Sequence, residues 1–278
     1  MQLRNQHVLI TGGSSGIGLA LARRAARQGA KVTLLARDPQ KLAAARDEIQ
    51  RLAPTAPAVG TVSADVARQA DVLRALADAE KIQGPVDVLI AAAGMARPGY
   101  FEEVPVEIFE RTMAVNYFGA LYALKAVVPG MRQRGRGAVV LIASGAGLVG
   151  LFGYTPYSPT KFALRGLAES LRAELKSSGV RVAIVYPPDT DTPQLAEENR
   201  TKPAETKALT AAAGLWTADD VARVTLDGLA RGKFSITPGF ALTALAWWHS
   251  LLAPVLRWHF DRIAARARRA AERDGKKS

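Results

Sequence analysis

Residues 7–10 form a short apolar run that passes straight into T-G-G-S-S-G-I-G at 11–18. A helical pattern follows at 19–28 and is closed by Gly29. A strand, a glycine turn and a helix in that order commit the N-terminus to a nucleotide-binding βαβ unit. The start of a helix offers unpaired N–H groups and a positive dipole end to a phosphate. Glycines let the backbone come close to it. The spacing here is T-G-x-x-x-G-x-G, on Thr11, Gly12, Gly16 and Gly18.

Further apolar runs at 31–36, 58–63, 86–91, 138–143, 180–186 and 233–237 read as strands. Helical patterns separate them. Such alternation predicts an α/β fold with a parallel sheet and right-handed crossovers. With 278 residues, 49% of them hydrophobic, one large domain with an appendage is expected.

The second strand ends at Ala36 and Arg37, where a chain that prefers NAD carries an acid for the ribose 2′-hydroxyl. A guanidinium instead suits a 2′-phosphate through paired hydrogen bonds. Asp38 followed by Pro39 reads as the N-cap and first residue of a helix to Leu52, although Asp38 is the other candidate for the ribose. Asp65-Val66 follows the third strand. Asp65 can reach an adenine amino group and can equally cap a helix over 67–83. After the fourth strand, A-A-A-G at 91–94 is small enough to admit a cofactor. Asn116 falls inside a long helical pattern over 105–131, facing water or a neighbouring helix.

The stretch 144–161 carries a hydroxyl at Ser144, a phenol at Tyr157 and an amine at Lys161. If the tyrosine opens the helix at 162–176, its lysine lies one turn on, on the same face. An adjacent ammonium favours phenolate and lowers the phenol from its usual value near about 10. A phenol tuned this way exchanges a proton with a carbonyl or alcohol near neutral pH. Alone, the Y-x-x-x-K spacing is a weak signal and usually that of a surface pair.

The sixth strand ends in P-P-D-T-D-T-P at 187–193, a fixed turn at the carboxyl edge of the sheet, where open α/β sheets bind ligands. Residues 195–215 are polar and read as a flap or short helices over the site. Thr217-Ala-Asp-Asp220 is a capping-box variant that opens a helix to about Arg231.

The chain has no cysteine, which excludes disulfides and thiolate metal sites, and its three histidines are scattered. The net charge is +12. Charge is the only argument for a nucleic-acid partner, and none is expected. Eight basic against three acidic residues stand from Arg257 onward. Just before them, residues 235–256 hold no charge and include Trp247 and Trp248. Pro254 is expected to interrupt a helix there. The remaining 240–253 is short for a span of about 20 residues and reads as an interfacial helix beside an anionic membrane surface. A dimerisation or lid helix with a basic tail is the other reading. No signal or transit peptide is visible, so the body is expected in the cytoplasm, peripheral on a membrane face.

Together, T-G-x-x-x-G-x-G, Asp65, Asn116, Ser144 and the Tyr157–Lys161 pair resemble the short-chain dehydrogenase/reductase family over residues 3–239. The resemblance implies a Rossmann-type doubly wound sheet of about seven strands for 1–239, with 240–278 as a helical extension. It implies Tyr157 as proton donor, Lys161 on the nicotinamide ribose, Ser144 on the substrate carbonyl and Asn116 holding a relay water. Gly12, Ser14, Ser15, Gly16, Ile17 and Gly18 would line the phosphates of NADPH. Arg37 would take the 2′-phosphate, Asp65 and Val66 the adenine, and Ala92 and Gly94 the path between. Pro187, Thr190 and Thr192 would flank the nicotinamide, with the two threonines on its carboxamide. The family's N-N-A-G is A-A-A-G here, so Ala91 lacks the asparagine's side-chain bonds.

Within the family, residues 186–207 look closest to the members that reduce the C3 ketone of a long-chain keto-sphingoid base. The expected activity is therefore NADPH-dependent reduction of a long-chain keto-lipid. A reductase of another apolar carbonyl (retinoid, steroid or fatty acyl ketone) and a non-catalytic NADP-binding membrane adaptor are the rivals. A homodimer or homotetramer built on the helices of Asn116 and Tyr157 is common in the family.

Overall fold

The computed structural model describes residues 2–211 and 214–275. Its centre is a seven-stranded parallel sheet. In chain order the strands and helices are β1 (His7–Thr11), α1 (Gly16–Arg27), β2 (Lys31–Ala36), α2 (Pro39–Leu52), β3 (Gly60–Ser63), α3 (Gln69–Gln83) and β4 (Val88–Ala91). Next come α4 (Val106–Met113), α5 (Gly119–Gln133), β5 (Gly137–Ile142), α6 (Ser158–Leu175) and β6 (Val180–Val185). The last third adds β7 (Thr190–Asp191), α7 (Pro193–Thr201), α8 (Ala204–Ala211), β8 (Trp216–Thr217), α9 (Ala218–Ala230), β9 (Ser235–Ile236) and α10 (Phe240–Gly275).

The strand order is β3-β2-β1-β4-β5-β6-β9, and β7 pairs with β8 separately. The order reverses between β1 and β4, and a ligand crevice opens above that switch point. Register is set by alternation. Leu9, Leu89, Val139 and Leu141 point to one face, where α3, α5 and α6 bury them. Val8, Ile10, Ile90 and Val140 point to the other, beneath α1, α2 and α9. With both faces covered, the central strands read as unbroken apolar runs rather than alternating ones.

The expected Rossmann-type architecture is present, with differences that have physical causes. The helix expected over 105–131 is α4 and α5 joined by a π-helical turn, Ala114–Phe118, which carries Asn116. Asp65 does not cap the helix after it, which begins at Gln69 with Arg68 as its N-cap. Its carboxylate instead accepts from the Ala67 N–H at 3.0 Å and from Arg111 at 2.7 Å. Residues 195–211 are short helices, and Thr192 caps the first of them through the Leu195 N–H. Thr217 accepts from the Asp220 N–H and opens α9 as its sequence predicts.

Pro254 does not interrupt the C-terminal helix, which runs from Phe240 to Gly275. Proline frees the carbonyl four residues back. Here Ser250 and Pro254 are both exposed, so water can take the lost bond. The first turns of α10 dock on the domain: Leu245 and Ala246 pack on the core, and Arg165 donates to His249 at 3.3 Å. The opposite face of α10 leaves Phe240, Trp247, Leu251, Val255 and Trp258 exposed, in a stripe of helical spacing. Among the described residues, no helix is long and apolar enough to cross a membrane.

Candidate active site

The glycine turn is built by close approach. Gly12 has φ +70°, and a Cβ on it would stand 2.8 Å from the Ala93 backbone in the turn after β4. Gly18 lets α1 sit on that turn, since a Cβ there would meet the Gly12 carbonyl at 2.3 Å. The N-cap, Ser15, makes no side-chain cap bond, and no acid lies in the first turn of α1. The N–H groups of that turn are thus left for a phosphate, which is the chemistry a dinucleotide needs.

Two cavities meet at this turn. One, of about 210 Å³, is walled by Ser14, Arg37, Asp65 and Val66. The other, of about 180 Å³, is walled by Gly16, Ile17, Gly18, Ala92, Ser144, Tyr157, Lys161, Pro187, Thr190 and Thr192. Gly12, Ser15 and Gly94 border both. Asp38 caps α2, accepting from the Gln40 and Lys41 N–H groups at 2.9 and 3.1 Å, which leaves Arg37 and Lys41 as the cations at the cavity rim. Arg111 helps hold Asp65 below the usual carboxylate range, against the upward pull of its partial burial.

Ser144 lies just past β5 and opens a 3₁₀ turn, its hydroxyl accepting from the Ala146 N–H at 3.2 Å. Tyr157 is the N-cap of α6, and Lys161 stands one turn along, as the spacing predicts. Both are buried. The Thr190 hydroxyl donates to the Pro188 carbonyl at 2.8 Å, and that of Thr192 to the Thr190 carbonyl at 3.1 Å. Asn116 walls neither cavity. Its Oδ1 accepts from the Met95 N–H at 2.8 Å, and its Nδ2 donates to the Met95 carbonyl and to Thr160 Oγ1, both at 3.0 Å. It braces the turn after β4 against α6.

The electrostatics correct the simplest reading of the tyrosine–lysine pair. Burial pushes the Tyr157 phenol well above its usual value, and the Glu198 charge adds to this, while the Ser144 hydroxyl works the other way. Burial lowers the Lys161 amine to about 8. The ammonium stands 5.3 Å from the centre of the Tyr157 ring and donates to the Ile142 carbonyl, and the cost of burial prevails at the phenol. A phenol that holds its proton suits a proton donor.

Sequence reasoning missed a buried polar group on the cavity wall. Tyr154 donates to Glu198 at 2.6 Å, and Gln194 donates to the other carboxylate oxygen at 2.8 Å. The Tyr154 and Tyr157 rings lie 5.5 Å apart. Lys202 is buried and pairs with Asp189 at 3.0 Å. The one signal in the sequence was the charged string at 197–207, whose members point inward at Glu198, Lys202 and Glu205.

This chain matches the short chain dehydrogenase family over residues 6–203. It belongs to that family. The short-chain dehydrogenases are oxidoreductases with a nicotinamide dinucleotide cofactor, and this chain is such an enzyme, which sets aside the adaptor reading. Among characterised relatives, a 3-dehydrosphinganine reductase of Danio rerio is 43% identical over 88% of this chain and 75% of its own length. A 3-ketodihydrosphingosine reductase of Dictyostelium discoideum is 38% identical over 92% of this chain and 85% of its own. Of solved structures, levodione reductase aligns with a TM-score of 0.76 at 26% identity, covering 85% of this chain and 96% of that one. An alcohol dehydrogenase of Thermococcus sibiricus complexed with 5-hydroxy-NADP gives 0.72 at 26% identity, covering 84% and 95%.

Proposed function

We propose that this enzyme uses NADPH to reduce the C3 ketone of 3-ketodihydrosphingosine to the amino alcohol dihydrosphingosine. The observation that carries the reading is the Ser144 hydroxyl beside the buried Tyr157 and Lys161, in a cavity that shares Leu151 with a third, partly aromatic one. That third cavity, of about 530 Å³, is walled by Tyr100, Phe101 and Phe152 together with Glu102, Glu103 and Arg268, and its aromatic side gives a long alkyl chain a place to lie. The names of the relatives at 38–43% identity support the same substrate.

When bound, the dinucleotide supplies the hydride that goes to the carbonyl carbon. The residues do the rest. The Ser144 hydroxyl hydrogen-bonds the ketone oxygen and positions it against the phenol. Tyr157 Oη gives its proton to that oxygen as negative charge builds there. Lys161 orients the nicotinamide ribose beside the phenol. Asn116 holds the relay from behind the wall. Arg37 takes the 2′-phosphate that distinguishes NADPH from NADH, and Asp65 faces the adenine. Thr190 and Thr192 hold the carboxamide end.

The docked and exposed faces of α10 fit a peripheral helix, apolar stripe in the lipid and basic end on anionic headgroups. The Arg262 guanidinium stacks over Trp258 at 4.5 Å, the pairing such a boundary favours. Phe118 and Phe162 are exposed on the helices through which a homodimer or homotetramer would form.

The test is NADPH oxidation by the full chain with 3-ketodihydrosphingosine in mixed micelles, against retinoid, steroid and fatty acyl ketones. Turnover of the keto-sphingoid base above the others is expected. Absence of turnover with it removes the substrate assignment.

A further inference from the structure

Glu198 is 7% exposed and lines the same cavity as Tyr157 and Ser144. Both of its close partners donate to it: the Tyr154 hydroxyl at 2.6 Å and the Gln194 amide at 2.8 Å. An O–H donor at that distance marks an ionised carboxylate as its acceptor. A buried carboxylate without a cation is costly. Yet among the described residues Glu198 forms no ion pair. The nearby buried cation, Lys202, is taken by Asp189 at 3.0 Å. The Lys161 ammonium feels the Glu198 charge but gives its hydrogen bond to the Ile142 carbonyl at 3.0 Å. A carboxylate can accept about four hydrogen bonds, and two of these positions are filled. The remaining capacity borders the space where the ketone must lie to meet Tyr157.

We infer that Glu198 is the specificity carboxylate that receives the substrate's ammonium group. The inference rests on the keto-lipid reading above and names what selects within it. In a 2-amino-3-ketone the ammonium is on the carbon next to the carbonyl. A carbonyl held by Ser144 and Tyr157 therefore carries its cation along the same wall. Tyr154 and Gln194 fix the carboxylate's orientation before the substrate arrives, so little reorganisation is needed on binding. The directly bonded cation that Glu198 lacks is then the substrate itself. A ketone of the same length without the amine leaves the carboxylate buried and unpaired, and a site built for a polar group rejects such an analogue strongly.

The experiment compares three ketones of one chain length in NADPH-oxidation assays of the full chain: the 2-amino-3-ketone, its N-acetyl derivative and the ketone lacking the amine. For the wild type, kcat/KM for the free amine should exceed both others by about 30-fold or more. Glu198→Gln should reduce that preference to within about threefold, chiefly through KM for the amine. Glu198→Asp, which keeps the charge, should restore part of it. A wild-type preference near one overturns the inference and leaves the ketone-reductase reading standing. So does a Glu198→Gln enzyme that loses activity on all three ketones by one common factor. Absence of turnover of all three by the wild type overturns the underlying reading, and the inference with it. Should Glu198→Gln fail to fold, as read by near-ultraviolet circular dichroism, the wild-type ratios and Glu198→Asp decide.

Discussion

The Lys161 ammonium lies 5.3 Å from the centre of the Tyr157 ring, yet its hydrogen bond goes to the Ile142 carbonyl at 3.0 Å. The lysine is thus anchored to the end of β5, beside the phenol. The two groups are a buried pair whose charges are both disfavoured by their surroundings.

Tyr157→Phe removes the proton donor and keeps the ring that packs on Tyr154. Turnover should fall by about 100- to 10,000-fold, while NADPH binding, read by quenching or energy transfer, persists. A variant with near-normal turnover would move the donor role elsewhere.

Lys161 gives a pH signature of stability. Its folded value is about 8, below the ordinary 10.5 that it regains on unfolding. Between these values the unfolded chain binds more protons, so this residue makes the fold more stable as pH rises from 8 towards 10. The slope is on the order of 1 kcal/mol per pH unit. Melting curves of the cofactor-free protein should show the advantage of Lys161→Met over the wild type shrinking across that range. A pH-independent difference would count against a buried, titrating lysine.

Arg37 and Asp38 separate cleanly. Arg37→Ala should weaken NADPH about tenfold or more and leave NADH unchanged. Asp38→Ala removes the cap of α2 and should cost about 1 kcal/mol of stability with no change in the NADPH-to-NADH ratio. Selective loss of NADH binding in Asp38→Ala would place that carboxylate on a ribose.

The exposed stripe of α10 predicts binding to lipid. The triple change Trp247→Ser, Trp248→Ser and Trp258→Ser should reduce sedimentation with anionic vesicles while leaving the melting temperature near that of the wild type. Raised salt should release the wild-type protein in part, because its basic end contributes. Equal sedimentation of the triple variant would leave the stripe without that role.

Much of this site is legible in the sequence because its signals are local. The glycine turn needs only its own backbone, the strands announce themselves as unbroken apolar runs, and Tyr157 and Lys161 meet through one helical turn. Asp38 is read correctly as a cap because Pro39 follows it. Glu198 is invisible for the opposite reason. Its helix, Pro193–Thr201, is polar on most sides, and the residue is buried by Tyr154, which comes from 44 positions earlier. The fate of the phenol's proton is also hidden, since it depends on burial rather than on the spacing to the lysine. Pro254 misleads because a breaker is tolerated where its freed carbonyl faces water.

A Cβ on Gly145 would stand 3.0 Å from Leu242, in the first turn of the last helix, and the Gly145 N–H donates to the Pro187 carbonyl at 3.0 Å. The residue after Ser144 is thus wedged between the sixth-strand turn and the tail. That makes the tail a poor cassette. Swapping it for the anchor of another protein, or fusing a partner at Gly239, would disturb the packing beside Ser144 along with the outer stripe. Engineers wanting a freely diffusing version should recolour the outer stripe of the helix and leave its inner turns untouched.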